Sequence, residues 1–377
     1  MDDEASAAAA AGRSVDDDPR VVAARALAAD LLAPTAARSD ADGVPRSHLD
    51  ALAGAGLMGL AGPPPWGAAP PVRRAVTEAI AGACGTTWFC WAQHHTPLAM
   101  VVAAQDEAVR ERWLEPLVTG RELAAVAFAH VRRPGPPAVT ASRDGEGWRL
   151  DGVLDWVTSW SICDTVLVVA QGTGADADSH VMVMLAPHEG RGVASGPPLP
   201  LAAMAGTWTC PVRLDAVPVP AADVVRVVDR QAWLAADRLG TANASPHTFG
   251  LAGAAIAELA RTGERRGATS EGDGPADAAA ALRLAAALRA ELDDLRGEAY
   301  RLLDEVPADE QIERRLALRA ASQELLVRAT TGLVTARAGA AVRLSDPAQR
   351  WHREAMFHLV QAQTAPGRTA TLTRLLR

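Results

Sequence analysis

The chain's hydrophobic periodicity predicts an α+β multidomain fold: an N-terminal helical domain, a central β-barrel or β-sandwich domain and a C-terminal four-helix bundle. Three observations carry this reading. Apolar residues recur at spacings of three and four up to about residue 120, at spacings near two from Ala124 onward, and again at helical spacing after Pro220. Turn signals crowd the middle third, at 134–137, 144–147, 172–174 and 196–200, and divide it into short strand-like runs. The length, 377 residues of which 49% are hydrophobic, suffices for two or three domains with cores of their own.

Residues 1–18 are low-complexity Ala and Asp, too poor in apolar surface to offset the entropy of ordering, and are expected to be a disordered tail. The helical domain, 19–122, opens with Pro19 in a first turn and with Val21, Val22, Ala24, Leu27, Ala28, Leu31 and Leu32 on one stripe. Ser47 is the expected cap of a second helix carrying Leu49, Leu52, Ala53 and Leu57, closed by Gly56 and Gly59. After a loop at 62–71, three further helices are expected over 72–92, 96–104 and 106–118. The β domain, 123–222, has predicted strands at 124–129, 139–142, 148–150, 166–170, 181–185 and 212–214. In the last domain, 223–377, helices are predicted over 233–261, 276–303, 312–338 and from 348 to the end, with the hydrophilic stretch 263–275 as the first long connection.

Composition removes several classes of function. The net charge is -8 without a basic patch, so neither nucleic acid nor a membrane surface is an expected partner. All 37 basic residues are arginine, which excludes Schiff-base lysines and a P-loop lysine. The four cysteines form no C-x-x-C pair and suit free thiols in a reducing cytoplasm, the expected location. The acidic N-terminus lacks the basic region of a signal peptide, and no apolar run reaches membrane-spanning length. Neither H-x-x-x-H nor H-E-x-x-H occurs, so no metal site is expected.

Several stretches carry chemistry. LDALAGAGLMGL at 49–60 is followed by Gly62-Pro63 and Trp66-Gly67, and RWLEPL at 112–117 runs to Gly120. GWRLDG at 147–152 precedes DWVTS at 155–159, where Trp156 and Thr158, two apart on a strand, point to the same face. FAHV occupies 128–131, ERRG 264–267, ARAGAA 336–341, PAQRWHREA 347–355 and QAQT 361–364. In order and spacing these resemble motifs of the acyl-CoA dehydrogenase family over nearly the whole chain, from about Pro19 to Arg377.

The resemblance implies a flavoprotein with FAD between the β domain and the bundle, assembled as a homo-oligomer, dimer or tetramer, and acting on an acyl thioester. It implies that Trp156 packs beside the isoalloxazine and that Thr158 bonds flavin N5, where hydride arrives. Backbone amides at Phe128 and Ala129 are implied to serve the flavin, although Ala129 and His130 replace the family's threonine and glutamate. Arg266 matches an arginine that meets the flavin pyrophosphate of a neighbouring subunit, and Gly339 and Thr364 match further flavin contacts. The family's catalytic glutamate falls on Ala362, which has no group to take the α-proton of a thioester.

Four residues are candidates to replace that base. Asp237 lies one turn from Gly240, where some members of the family supply the glutamate; a solvated surface aspartate beside Arg238 is the other reading. His358 lies four residues before Ala362. His94 and His95 lie where the resemblance places the substrate cavity, but neighbours on a helix point about 100° apart and cannot both face it. Three functions are consistent with this pattern. They are α,β-dehydrogenation of an acyl thioester, a flavin-dependent monooxygenase or oxidase on the same scaffold, and a non-catalytic partner subunit that has lost the site.

Overall fold

The computed structural model describes residues 14–269 and 274–376. Within the expected tail, Ser14 caps a short 3-10 turn, Val15–Asp17, and Asp18 accepts the Arg20 amide at 2.9 Å to cap α1, Pro19–Leu27. Residues 1–13 lie outside the described residues. A π turn, Ala28–Leu32, joins α1 to α2, Ala33–Asp42, where the wide turn accommodates Pro34 and its missing N–H. Helix α3, Arg46–Gly54, starts from an extended Pro45, so Ser47 lies inside the helix and does not cap it as expected.

The next helices divide differently from the prediction. They are α4, Pro70–Ala83, and α5, Gly85–Val102, parted by an extended Cys84 at φ -150°. Helix α5 passes without interruption through 93–95 and holds Pro97 in its interior. The break has a tertiary cause, because a Cβ on Gly85 would stand 2.7 Å from the Glu354 carboxyl carbon. Helix α6, Glu107–Thr119, is capped by Asp106 and closed by Gly120 at φ +72°.

The central domain is one mixed sheet, the form that the expected barrel or sandwich takes. Its strands are β1 Ala124–Ala127, β2 Val139–Asp144, β3 Gly147–Val157, β4 Thr165–Gly172, β5 Ser179–Leu185, β6 Val193–Ser195, β7 Cys210–Val219 and β8 Val224–Asp229. The order is β6-β7-β3-β2-β4-β5-β8; β1 and β2 both pair parallel to β4, and the other pairs are antiparallel. Strands β6 and β8 go beyond the prediction, and β3 and β7 are much longer than their predicted cores. Alternate residues of β4 enter different cores. Val166, Val168 and Ala170 pack with the core that includes Trp88 and Trp91, and Leu167 and Val169 pack with Leu98, Trp113 and Leu117. Burial on both faces explains why β4 is a continuous apolar run.

Six helices follow: α7 Arg230–Ala242, α8 Pro246–Thr269, α9 Gly274–Glu305, α10 Ile312–Arg337, α11 Pro347–His358 and α12 Ala365–Arg374. Leu251, Ile256 and Leu259 of α8 pack with Leu288 and Leu292 of α9 and with Leu325, Leu326 and Leu333 of α10. The predicted helix over 233–261 is broken ahead of Pro246, whose ring disfavours helical backbone in the residue before it. The predicted helix from 348 onward is likewise interrupted between His358 and Ala365. The expected connection at 263–275 is mostly helix, since α8 runs on to Thr269 and α9 starts at Gly274. Arg315, 2% exposed, donates to the carbonyls of Leu302, Val306, Pro307 and Glu310 and to Asn243 Oδ1, placing a cation at the C-terminus of α9.

The three parts lock together at close contacts. A Cβ on Gly250 of α8 would stand 2.3 Å from the Glu78 carbonyl of α4, so only glycine lets these helices cross. The Val44 amide donates to the Gly206 carbonyl at 2.8 Å, and Trp208 Nε1 donates to the Val44 carbonyl at 3.0 Å. All four cysteines are buried free thiols, and burial pushes Cys90 and Cys163 up to about 12.

Glu354 of α11 is 1% exposed, with Oε1 3.4 Å from Arg350 Nη1 and Oε2 unbonded among the described residues. Burial pushes its carboxyl up to about 7, against the pull of Arg350 and Arg353 and with the help of Asp40. The folded chain therefore holds a proton there that the unfolded chain releases, and stability falls as pH rises through about 4.5 to 7. We expect the stability of the wild type to drop more between about pH 5 and 8 than that of Glu354→Gln, a difference on the order of a few kcal/mol. Parallel thermal melts check this; equal pH slopes would refute it.

Candidate functional site

A cavity of about 550 Å³ lies between one end of the sheet and the segment that follows α11. Phe89 and Gln93 of α5, Phe128 and Ala129 after β1, and Trp156 and Thr158 at the end of β3 line one side. Residues 201–204 with Thr207 and Thr209 form the floor, and Met356, Phe357, Val360, Gln361 and Ala362 close the other side. A register shift between Leu154 and Val157 in the β3–β7 pairing marks where β3 delivers its last residues to the cavity. There Trp156 is 47% exposed and Thr158 only 6%.

The floor is a tightly tied turn. Met204 and Trp208 hold left-handed backbone at φ 58° and 52°, and a Cβ on Gly206 would stand 1.7 Å from the Ser39 carbonyl oxygen. The Ser159 and Trp160 amides donate to the Thr207 and Trp208 carbonyls at 2.9 and 3.2 Å. Three hydroxyls run through this turn in series: Thr158 Oγ1 to Thr209 Oγ1 at 3.1 Å, Thr209 Oγ1 to Thr207 Oγ1 at 2.9 Å, and Thr207 Oγ1 to the Met204 carbonyl at 2.7 Å.

The closing segment is held by buried arginine. Arg319 of α10 donates to the Gln361 carbonyl at 2.9 Å, forms no ion pair among the described residues, and has its pKa lowered to about 10 by burial. Arg353 of α11 pairs with Asp40 at 2.6 Å and donates to the Ala202 carbonyl at 3.0 Å, and Phe357 meets Phe89 edge-on at 4.8 Å. At the mouth, Arg132 lies over the Phe128 ring at 4.7 Å and forms a two-pronged pair with Asp237 at 2.8 and 2.6 Å, while Arg133 pairs with Asp155.

Four of the seven residues matched to flavin contacts, Phe128, Ala129, Trp156 and Thr158, line this one cavity together with Ala362. Thr364 does not; its hydroxyl caps α12 by accepting the Gly367 amide. Arg266 lines a separate cavity of about 420 Å³ with Arg337 and Ala340, beside the turn Ala338–Val342 that carries Gly339. It pairs there with Asp277.

None of the four candidate bases reaches the cleft. Asp237 is committed to Arg132. His94 donates from Nε2 to the Leu117 carbonyl at 2.9 Å and accepts the Ala124 amide at Nδ1 at 3.0 Å, and burial lowers its pKa to about 4, so it is a neutral brace between α6 and β1. His95 packs edge-on against Trp91 and lines another cavity, of about 490 Å³, with Arg73 and Pro246; burial lowers its pKa to about 3. His358 turns inward to stack on His247 at 4.8 Å beside Trp88, and burial lowers its pKa to about 3. His130 is likewise turned away, bonding the Val169 carbonyl at 2.7 Å.

Comparison with known proteins places this arrangement. Residues 21–121 match the family model described as acyl-CoA dehydrogenase, N-terminal domain. Over those residues the chain is similar to that family's N-terminal domain. Its fold matches butyryl-CoA dehydrogenase from Megasphaera elsdenii at a TM-score of 0.76 and 18% identity, covering 97% of this chain and 99% of that one. It matches a glutaryl-CoA dehydrogenase from Mycobacterium smegmatis, solved in complex with FADH2, at a TM-score of 0.78 and 15% identity, covering 96% and 95%. A 3-(aryl)acrylate reductase from Clostridium sporogenes (strain ATCC 15579) is 24% identical over 235 residues, 59% of this chain. The match spans 61% of that relative's length.

Sequence reasoning did not find Thr207 and Thr209, which face the cavity across from Thr158. The only local signal was the alternation Thr207-Trp208-Thr209 ahead of β7, and the left-handed residues around it break any simple strand pattern. We expect Asp237→Asn to lower stability by about 2 kcal/mol, between the values for exposed and buried pairs, because it strands Arg132 at the mouth. Thermal melts of Asp237→Asn and of Arg132→Met, Asp237→Asn together check this, the double variant recovering part of the loss.

Proposed function

We propose that the chain is an FAD-dependent oxidoreductase that holds the isoalloxazine in the cleft lined by Phe128, Ala129, Trp156 and Thr158. The cleft suits that group, since a half-exposed indole, aromatic and aliphatic walls and a row of hydroxyls meet in a space of about 550 Å³. Bound there, FAD supplies a two-electron acceptor. Arg266 and the turn bearing Gly339 stand apart from the cleft, which supports a role for them toward the dinucleotide of a second copy in a homo-oligomer, and Thr364 orders the segment that closes the site. A cytoplasmic location, with its reducing thiol chemistry, fits the four free cysteines.

One observation favours one chemistry over the others. α,β-Dehydrogenation of an acyl thioester requires a group that takes the α-proton. Among the described residues the cleft is lined by Gln93, Gln361, threonines and two arginines, and by no carboxylate, imidazole or thiol. This lining supports a flavin-dependent monooxygenase or oxidase, whose substrate is positioned by the glutamines and arginines without surrendering a carbon-bound proton to the protein. The acyl-thioester dehydrogenase and the catalytically silent partner subunit are the competing readings.

The visible spectrum of the purified chain, with and without added FAD, tests the cofactor. Under argon we expect a bound flavin to keep its colour when acyl-CoA thioesters are added. With FADH2 and air we expect oxygen uptake above that of free FADH2. Bleaching by a thioester would establish dehydrogenation instead, and failure to retain any flavin would leave only the partner subunit.

A further inference from the structure

We infer that Thr207 and Thr209 set the direction of the Thr158 hydroxyl, so that the cleft binds reduced FAD more tightly than oxidised FAD. This rests on the flavin reading above and adds to it a preference between redox states. A hydroxyl carries one proton. The Met204 carbonyl has none, so Thr207 Oγ1 must donate in their 2.7 Å bond. Thr207 then has only lone pairs left, and Thr209 Oγ1 must donate to it across 2.9 Å. By the same count Thr158 Oγ1 donates to Thr209 across 3.1 Å. The proton of Thr158 thus points into the turn, and what its oxygen offers the cleft is a lone pair.

The direction is fixed by the backbone. Met204 is held at φ 58°, its carbonyl also accepts the Thr207 amide at 3.2 Å, and the turn is clamped by Gly206 against Ser39. All three threonines are buried, and no carboxylate or imidazole of the described lining is available to reverse the series. Oxidised flavin presents an unprotonated N5, itself an acceptor, whereas reduced flavin presents N5–H, a donor. An acceptor buried opposite an acceptor loses a hydrogen bond and keeps the desolvation penalty. On the flavin reading Thr158 would be the residue that meets the ring, and Thr207 and Thr209 would be positioning residues that act through it.

The test is anaerobic binding of FAD and of dithionite-reduced FAD to the full chain, with the midpoint potential of the bound flavin as a second readout. We expect the wild type to bind the reduced form about tenfold more tightly, a potential about 30 mV above that of free FAD for a two-electron couple. Thr207→Val removes the acceptor for Thr209, frees Thr158 to turn its proton outward, and should abolish or reverse the difference. Thr207→Ser keeps the series and should retain it. If Thr207→Val does not fold, Thr209→Val cuts the series one step later with the same expected result. Equal preference in wild type and variant, with both binding FAD, would overturn the inference while leaving the flavin reading intact. No binding of either form by the wild type would overturn both.

Discussion

Everything the cleft offers depends on where α11 is held. Its floor and one wall come from the sheet and α5, and the opposite wall is the segment after α11, from the far end of the chain. Arg353 fixes that helix to Asp40 of α2 and to the Ala202 carbonyl, so a single guanidinium joins the first helices, the floor and the closing wall. Arg319 then fixes the loop beyond it by gripping a carbonyl rather than a carboxylate. A charge held this way costs desolvation and persists because the geometry leaves it no better partner.

The buried Glu354 belongs to the same joint. It occupies the space that the missing side chain of Gly85 leaves open, and the chain breaks between α4 and α5 to bring that glycine against it. Helix α5 is thereby aimed so that Phe89 and Gln93 reach the cleft while His94 and His95 turn to either side of it. Neighbouring positions on one helix thus acquire unrelated tasks: lining a ligand space, bracing a strand, and packing on tryptophan.

The three-part order, the continuous apolar run of β4 and the shared face of Trp156 and Thr158 were legible because each depends on local spacing. The break at Cys84 was not, since its cause is Glu354, remote in sequence. Strand β8 escaped because its pairs of valines interrupted by Arg226 fit no alternation. The candidate bases failed for a related reason. A histidine's presence is written in the sequence, but the carbonyl of Leu117 that claims His94, and the imidazole of His247 that covers His358, are brought in by the fold. Thr207 and Thr209 depend on left-handed Met204 and Trp208, residue types that give no hint of such backbone.

The burial of the cysteines bears on how long such a protein lasts. Thiolate, not thiol, is the form that peroxide attacks, and two of these thiols are pushed up to about 12 while all four are enclosed. Protonated and shut away from solvent, these sulfurs offer dissolved oxidants little to attack, so the chain's working life does not hinge on its thiols.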